Sequence, residues 1–123
     1  MVTPHLVSVV DDDESVRESL PDLIKEFGFA TQAFPSAEEF LESDYVDRTD
    51  CLILDVAMPG MSGLELQQVL EHRGSGIPVI FITAHGNAAS RARAMSQGAV
   101  GYLFKPFSEE DLRDALNSAL MPK

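Results

Sequence analysis

The sequence predicts an α/β fold, with five strand–helix units forming a doubly wound parallel five-stranded sheet. Two observations carry this expectation. Short apolar runs suited to buried strands alternate with helical patterns, the signature of a parallel sheet with crossover helices. Hydrophobic residues make up 45% of the 123 positions, enough to bury a real core in one domain.

The elements follow in order. Leu6 to Val10 reads as the first strand. Ser15 to Phe27 reads as the first helix, with Val16, Leu20, Leu23, Ile24 and Phe27 on one face. Asp13 is placed to cap its start and Gly28 to close it. Pro21 lies inside this helix, where it removes a donor and crowds the carbonyl of Arg17, so a kink is expected with the helix retained. Ala30 to Phe34 is the second strand. Ser36 and Glu39 have capping-box spacing ahead of a short helix ending near Leu41 or Glu42. Cys51 to Leu54 is the third strand. The turn Met58 to Gly63 leads into a third helix, Leu64 to His72. Gly74-Ser75-Gly76 breaks the chain before the fourth strand, Val79 to Thr83. A fourth helix, Asn87 to Gln97, closes at Gly98. Val100 to Phe104 is the fifth strand, and Ser108 opens a last helix reaching about Leu120.

Composition excludes several classes. A net charge of −11 repels nucleic-acid phosphates, so direct nucleic-acid binding is not expected. No apolar run approaches the roughly 20 residues needed to span a bilayer. The first five residues lack a signal-peptide pattern, which predicts a cytoplasmic protein. One cysteine, Cys51, can form neither an internal disulfide nor a multi-cysteine zinc site, and its apolar setting suits a core residue. Residues 1–123 are expected to be a single domain, with Met121-Pro122-Lys123 too short to hold another.

In open parallel sheets, ligands sit beyond the carboxyl ends of the strands. There the chain places Asp11-Asp12-Asp13, Asp55, Thr83 and Lys105-Pro106. Any one of these has an ordinary explanation: a solvated turn, a cap, a strand residue, a surface lysine. Their joint placement at four strand ends points to chemistry. Crowded carboxylates raise at least one pKa unless a cation neutralises them. A few oxygen ligands suit Mg²⁺, and no His or Cys cluster competes for a softer metal. A carboxylate beside Mg²⁺ can act as a nucleophile and form an acyl phosphate. Lys105 is suited to neutralise the transferred group, and Thr83 to donate to it.

These motifs carry a resemblance. Val9-Val10-Asp11-Asp12-Asp13-Glu14, the stretch Leu54 to Gly63, Phe81-Ile82-Thr83-Ala84 and Tyr102-Leu103-Phe104-Lys105-Pro106-Phe107 resemble the receiver domains of response regulators over nearly the whole chain. Cys51 to Leu66, with Phe81 to Gly86, is most similar to the FixJ-like branch. The resemblance implies a flavodoxin-like strand order 2-1-3-4-5. It implies that Asp55 accepts a phosphoryl group from a histidine kinase, in a switch rather than a conventional enzyme. It implies Mg²⁺ held by Asp12, Asp55 and the Ala57 backbone carbonyl, with Asp11 acting largely through water. Thr83 and Lys105 would bind phosphoryl oxygens, and Lys105-Pro106 would be cis. Tyr102 would be the switch aromatic, turning inward as Thr83 moves. Ala57 and His85 would influence acyl-phosphate lifetime; for His85, positioning water and merely sitting at the mouth of the site are equally open. On phosphorylation the face of the fourth helix, fifth strand and fifth helix would change, to bind a second copy or to release an output domain. A C-terminal helix-turn-helix output domain would lie outside this chain.

Rival readings fit less well. A haloacid-dehalogenase-type phosphatase would need a further acidic pair after a later strand. A flavin binder would need a hydroxyl- and glycine-rich loop where three aspartates stand. A calcium loop at Asp11 would need glycine where Val16 stands. An unphosphorylated interaction module would usually carry a damaged motif, and this one is complete.

Overall fold

The computed structural model describes residues 4–120. The sequence readings at residues 1–3 and 121–123 lie outside the described residues. The order is β1 (Leu6–Val10), α1 (Glu14–Glu26), β2 (Ala30–Phe34), α2 (Ala37–Glu42), β3 (Cys51–Asp55), α3 (Gly63–His72), β4 (Val79–Thr83), α4 (Ala88–Ser96), β5 (Gly101–Phe104) and α5 (Glu109–Leu120). The five strands form one parallel sheet in the order β2-β1-β3-β4-β5.

Strand alternation sorts the core onto two faces. Val10, Leu52, Leu54 and Phe81 pack on one face with Phe40, Leu66, Leu70 and Ala94, residues of α2, α3 and α4. Val7, Val9, Ile53, Ile80 and Ile82 pack on the other with Leu20, Ile24, Leu112 and Leu116 of α1 and α5. Two of the three interior strands, β3 and β4, are buried along their whole length. That explains their unbroken apolar runs, since helices cover both faces of the sheet.

The helix ends follow their capping residues. Asp13 caps α1 by accepting from the Ser15 amide, and the helix runs through Pro21 to Glu26. Ser36 caps α2 through the Glu39 amide. The return bond from Glu39 is not among those made by the described residues. Glu38 instead turns toward the β3–α3 loop and accepts from the Met61 amide at 3.0 Å. α3 starts one residue earlier than the sequence suggests, because Ser62 and Glu65 form a complete capping box. A second box, Asn87 with Ser90, starts α4. A single 3-10 turn at Val46–Arg48 has no counterpart in the sequence reading. β5 begins at Gly101 rather than Val100, which is exposed.

Candidate functional site

Register builds the site. Val10 pairs with Leu54, Asp55 with Ile82, and Thr83 with Phe104. The residues at or just past these pairs, Asp11, Asp55, Thr83 and Lys105, therefore stand side by side along the carboxyl edge of the sheet. Short backbone bonds fix that edge: Val56 N donates to Ile82 O at 3.1 Å, and Lys105 N to Thr83 O at 2.7 Å. Asp11 is 0% exposed, Asp55 7% and Thr83 3%.

Carboxylate oxygens of Asp11, Asp12 and Asp55 lie within 4.8 Å of one another. Asp13 stands apart from that cluster: its side chain is the α1 cap, and its amide donates to Asp11 Oδ1 at 2.9 Å. The Lys105 ammonium reaches into the cluster from β5. Its Nζ donates to Asp11 Oδ2 at 2.8 Å and lies 3.8 Å from Asp55 Oδ2. Lys105-Pro106 is cis.

The charges of the site are unbalanced. Burial, followed by the charge of Asp11, pushes the Asp55 carboxyl from its ordinary 3.8 up to about 7, with Lys105 opposing both. For Lys105, burial favours the neutral form. The bond and charge of Asp11, then the charges of Asp55 and Asp13, outweigh it and raise the ammonium pKa. Three close carboxylates and one ammonium thus leave the edge short of positive charge. A hard divalent cation with a few oxygen ligands fits this donor set, and Mg²⁺ fits best because it binds through one or two carboxylates and keeps its waters.

The other expected residues flank this row. Ala57 follows Asp55, and its amide donates to Asp55 Oδ1 at 3.3 Å. His85 has an exposed side chain, and its amide donates to Thr83 Oγ1 at 3.2 Å. Tyr102 lies mostly buried beneath the β4–α4 loop, with its ring against Phe81 and Phe104. Cys51 lies in the core at the opposite end of β3, where burial, then the charge of Asp50, pushes its thiol up to about 12. It is no thiolate nucleophile.

Several contributors were not singled out in the sequence. Arg17 Nη1 donates to the Asp11 carbonyl at 3.0 Å, tying α1 to the acidic loop. One helical turn from the Asp13 cap was its only signal. Gly63 carries no special backbone angle, yet a Cβ there would collide with the Asp55 carbonyl. The turn motif contains this glycine, but only the fold shows what it must avoid.

Comparisons with known proteins agree with this geometry. The response regulator receiver domain model matches residues 7–117. Nodulation protein W of Bradyrhizobium diazoefficiens is 47% identical over 95% of this chain and 52% of its own. The transcriptional regulatory protein FixJ of Azorhizobium caulinodans is 40% identical over 93% of this chain and 54% of its own. The structure of the response regulator StyR superposes with a TM-score of 0.87 at 47% identity, over 96% of this chain and 60% of that one. The chain spans about half the length of the curated relatives it matches. It belongs to the response regulator receiver domain family, in the FixJ-like branch.

Proposed function

We propose that Asp55 accepts a phosphoryl group from a histidine kinase in a Mg²⁺-dependent reaction. The observation that carries this reading is the convergence of Asp11, Asp12 and Asp55 within 4.8 Å, with Lys105 bonded to Asp11 and facing Asp55. Asp11, Asp12, Asp55 and the Ala57 backbone carbonyl are the residues that would hold the ion. When bound, Mg²⁺ supplies the positive charge that lets the carboxylates ionise together and offsets charge on phosphoryl oxygens.

The protein's own groups do the rest. An Asp55 oxygen attacks phosphorus as the phosphorus–nitrogen bond of the donor histidine breaks. Lys105 bridges to Asp11 and is within reach of a group on Asp55, so it neutralises and orients the arriving oxygens. Thr83 donates a hydrogen bond from its hydroxyl to one of them. Ala57 and His85, exposed beside Asp55 and Thr83, sit where side-chain size and polarity set access of water to the acyl phosphate.

The residues assigned here form one receiver domain, a switch rather than a conventional enzyme, acting in the cytoplasm. Among the described residues, no helix is long and apolar enough to cross a membrane. Relatives called transcriptional regulatory proteins are about twice as long, which supports a DNA-binding output domain beyond this chain. The α4–β5–α5 face, which carries exposed Met95 and Phe104, with Val100 just before β5, is the surface for a second copy.

Intact mass after incubation with a small acyl-phosphate donor tests the reading. The expected result is a gain of one phosphoryl group that requires Mg²⁺ and vanishes in Asp55→Asn. No gain by folded wild type would support an interaction module instead. A gain that persists in Asp55→Asn would move the acceptor to Asp11 or Asp13.

A further inference from the structure

The hydroxyl of Tyr102 lies 2.8 Å from Ser90 Oγ, across the gap between β5 and the first turn of α4. Ser90 already serves the α4 capping box: its Oγ accepts from the Asn87 amide at 3.2 Å and donates to the Asn87 carbonyl at 3.1 Å. With its one proton directed to that carbonyl, Ser90 Oγ accepts from Tyr102, whose phenol proton then has a half-buried partner.

The loop above this bond leaves little room. A Cβ on Gly86 would lie 2.7 Å from Phe104 Cε1 and 2.8 Å from the Tyr102 hydroxyl, and would press on the Thr83 methyl as well. Thr83, Gly86, Tyr102 and Phe104 are therefore in one packed column. Phe104, 46% exposed, meets the Tyr102 ring edge-on at 5.4 Å between centroids. The column runs from the phosphoryl-binding hydroxyl to the outer surface.

We propose that Ser90 is a positioning residue of the switch: its hydroxyl holds the Tyr102 ring under Gly86 and fastens the start of α4 to β5. A shift of Thr83 then moves α4 and β5 together, and the exposed Phe104 edge moves with them. This role rests on the reading of Thr83 and Tyr102 as the switch pair. Sequence alone offers Ser90 only as a helix residue.

The chain has two tyrosines and no tryptophan, so a Tyr45→Phe background makes Tyr102 the sole emitter. Acrylamide, being neutral, measures its exposure without repulsion from the acidic surface. An ordinary hydrogen bond shifts an equilibrium by roughly threefold to tenfold, so Ser90→Ala is expected to raise the quenching constant at least about twofold. Ser90→Thr, which keeps a hydroxyl, should stay near the starting value. Asn87→Ala breaks the same capping box but spares Ser90, and should raise quenching far less than Ser90→Ala. Equal quenching in Ser90→Ala and its parent would overturn the proposal. So would equal rises in Asn87→Ala and Ser90→Ala, which would trace the effect to fraying of α4. Phosphoryl uptake by intact mass should match the parent in Ser90→Ala. A parent that takes up none, with Mg²⁺ present, defeats the acceptor reading and the switch role of Ser90 together, a result seen by mass and not by quenching.

Discussion

Asp55→Asn should make the metal-free protein more stable at neutral and alkaline pH, although it removes the proposed acceptor. Burial and the charge of Asp11 raise the folded-state pKa of Asp55 from 3.8 to about 7. Below the unfolded value both states are protonated, and the group contributes nothing. Between the two values the unfolded chain ionises while the folded site resists. Stability therefore falls as pH rises from about 4 to about 7, and the full penalty stands above that. At about 1.4 kcal/mol per unit, the shift sets an upper bound of roughly 4 kcal/mol. Relaxation around the site and solvent screening reduce this, so a gain of about 1–3 kcal/mol is expected for the isosteric amide. The Asn oxygen can still accept from the Ala57 amide, which limits offsetting losses. At about 4 °C per kcal/mol, the melting temperature should rise by roughly 4–12 °C. Urea and thermal unfolding in EDTA at about pH 8, repeated near pH 4.5, measure the gain and its loss in acid. With saturating Mg²⁺ the difference should shrink or reverse. A variant no more stable than wild type in EDTA at alkaline pH, or one whose gain persists undiminished in acid, would refute the claim that burial and the charge of Asp11 raise the Asp55 pKa.

Removing the other partner should act in the opposite direction. Lys105→Met leaves Asp11 and Asp55 facing each other without a counter-charge, and a loss of about 3 kcal/mol is expected in EDTA. Urea midpoints with and without Mg²⁺ should show the metal restoring part of it; no loss in EDTA would contradict the pairing. Gly63→Ala improves helix propensity by up to about 1 kcal/mol, but the new Cβ meets the Asp55 carbonyl, so net destabilisation of roughly 1–3 kcal/mol is expected. A stabilised Gly63→Ala would show that the loop yields freely. Ser62→Ala removes the α3 cap and should cost about 1 kcal/mol by chemical denaturation, with phosphoryl uptake retained. Glu38→Ala frees the Met61 amide, whose hydrogen exchange should quicken while the melting temperature stays nearly constant.

The elements and the parallel α/β class were legible from local pattern, whereas the order of strands in the sheet came from the family resemblance. Each apolar run became a strand, and each amphipathic stretch a helix. The parallel order then brought four strand ends together without a further signal. The 3-10 turn at Val46–Arg48 was not legible, since it lies between two stronger elements and has no period of its own. The candidate site was legible in its ionic members, Asp11, Asp12, Asp55 and Lys105, because acidic or basic residues beyond buried strands are conspicuous. Its supporting contacts were not. Arg17 acts through a backbone carbonyl, Gly63 through a side chain it lacks, and Ser90 through a tyrosine twelve positions away. Such contacts depend on which loop lies over which strand end, and neither residue type nor spacing states that.

These supports explain how an unfavourable cluster is held in place. Like charges at a strand edge would spread apart if their loops could yield. The β1–α1 loop cannot yield easily, because the Asp11 carbonyl is held by Arg17 and its carboxylate by Lys105 and the Asp13 amide. The β3–α3 loop is held from outside by Glu38 and from within by the close packing of Gly63 on Asp55. Burial, and after it the unrelieved charge of Asp11, therefore keep the Asp55 pKa raised in the folded state, because the cluster does not relax into a wider loop. A divalent cation bound there would gain affinity from neutralising these charges, and on the proposed reading a phosphoryl group on Asp55 would meet Lys105 already positioned. The β4–α4 loop differs, because Thr83, Gly86 and Tyr102 meet there by packing and by one hydroxyl pair, with no ion pair between them. Rigid loops around the proposed acceptor, and a loop beside it held without ion pairs, suit the proposed switch: charge would change at a fixed point, and the β4–α4 loop would shift with Tyr102 and the start of α4 still joined through Ser90.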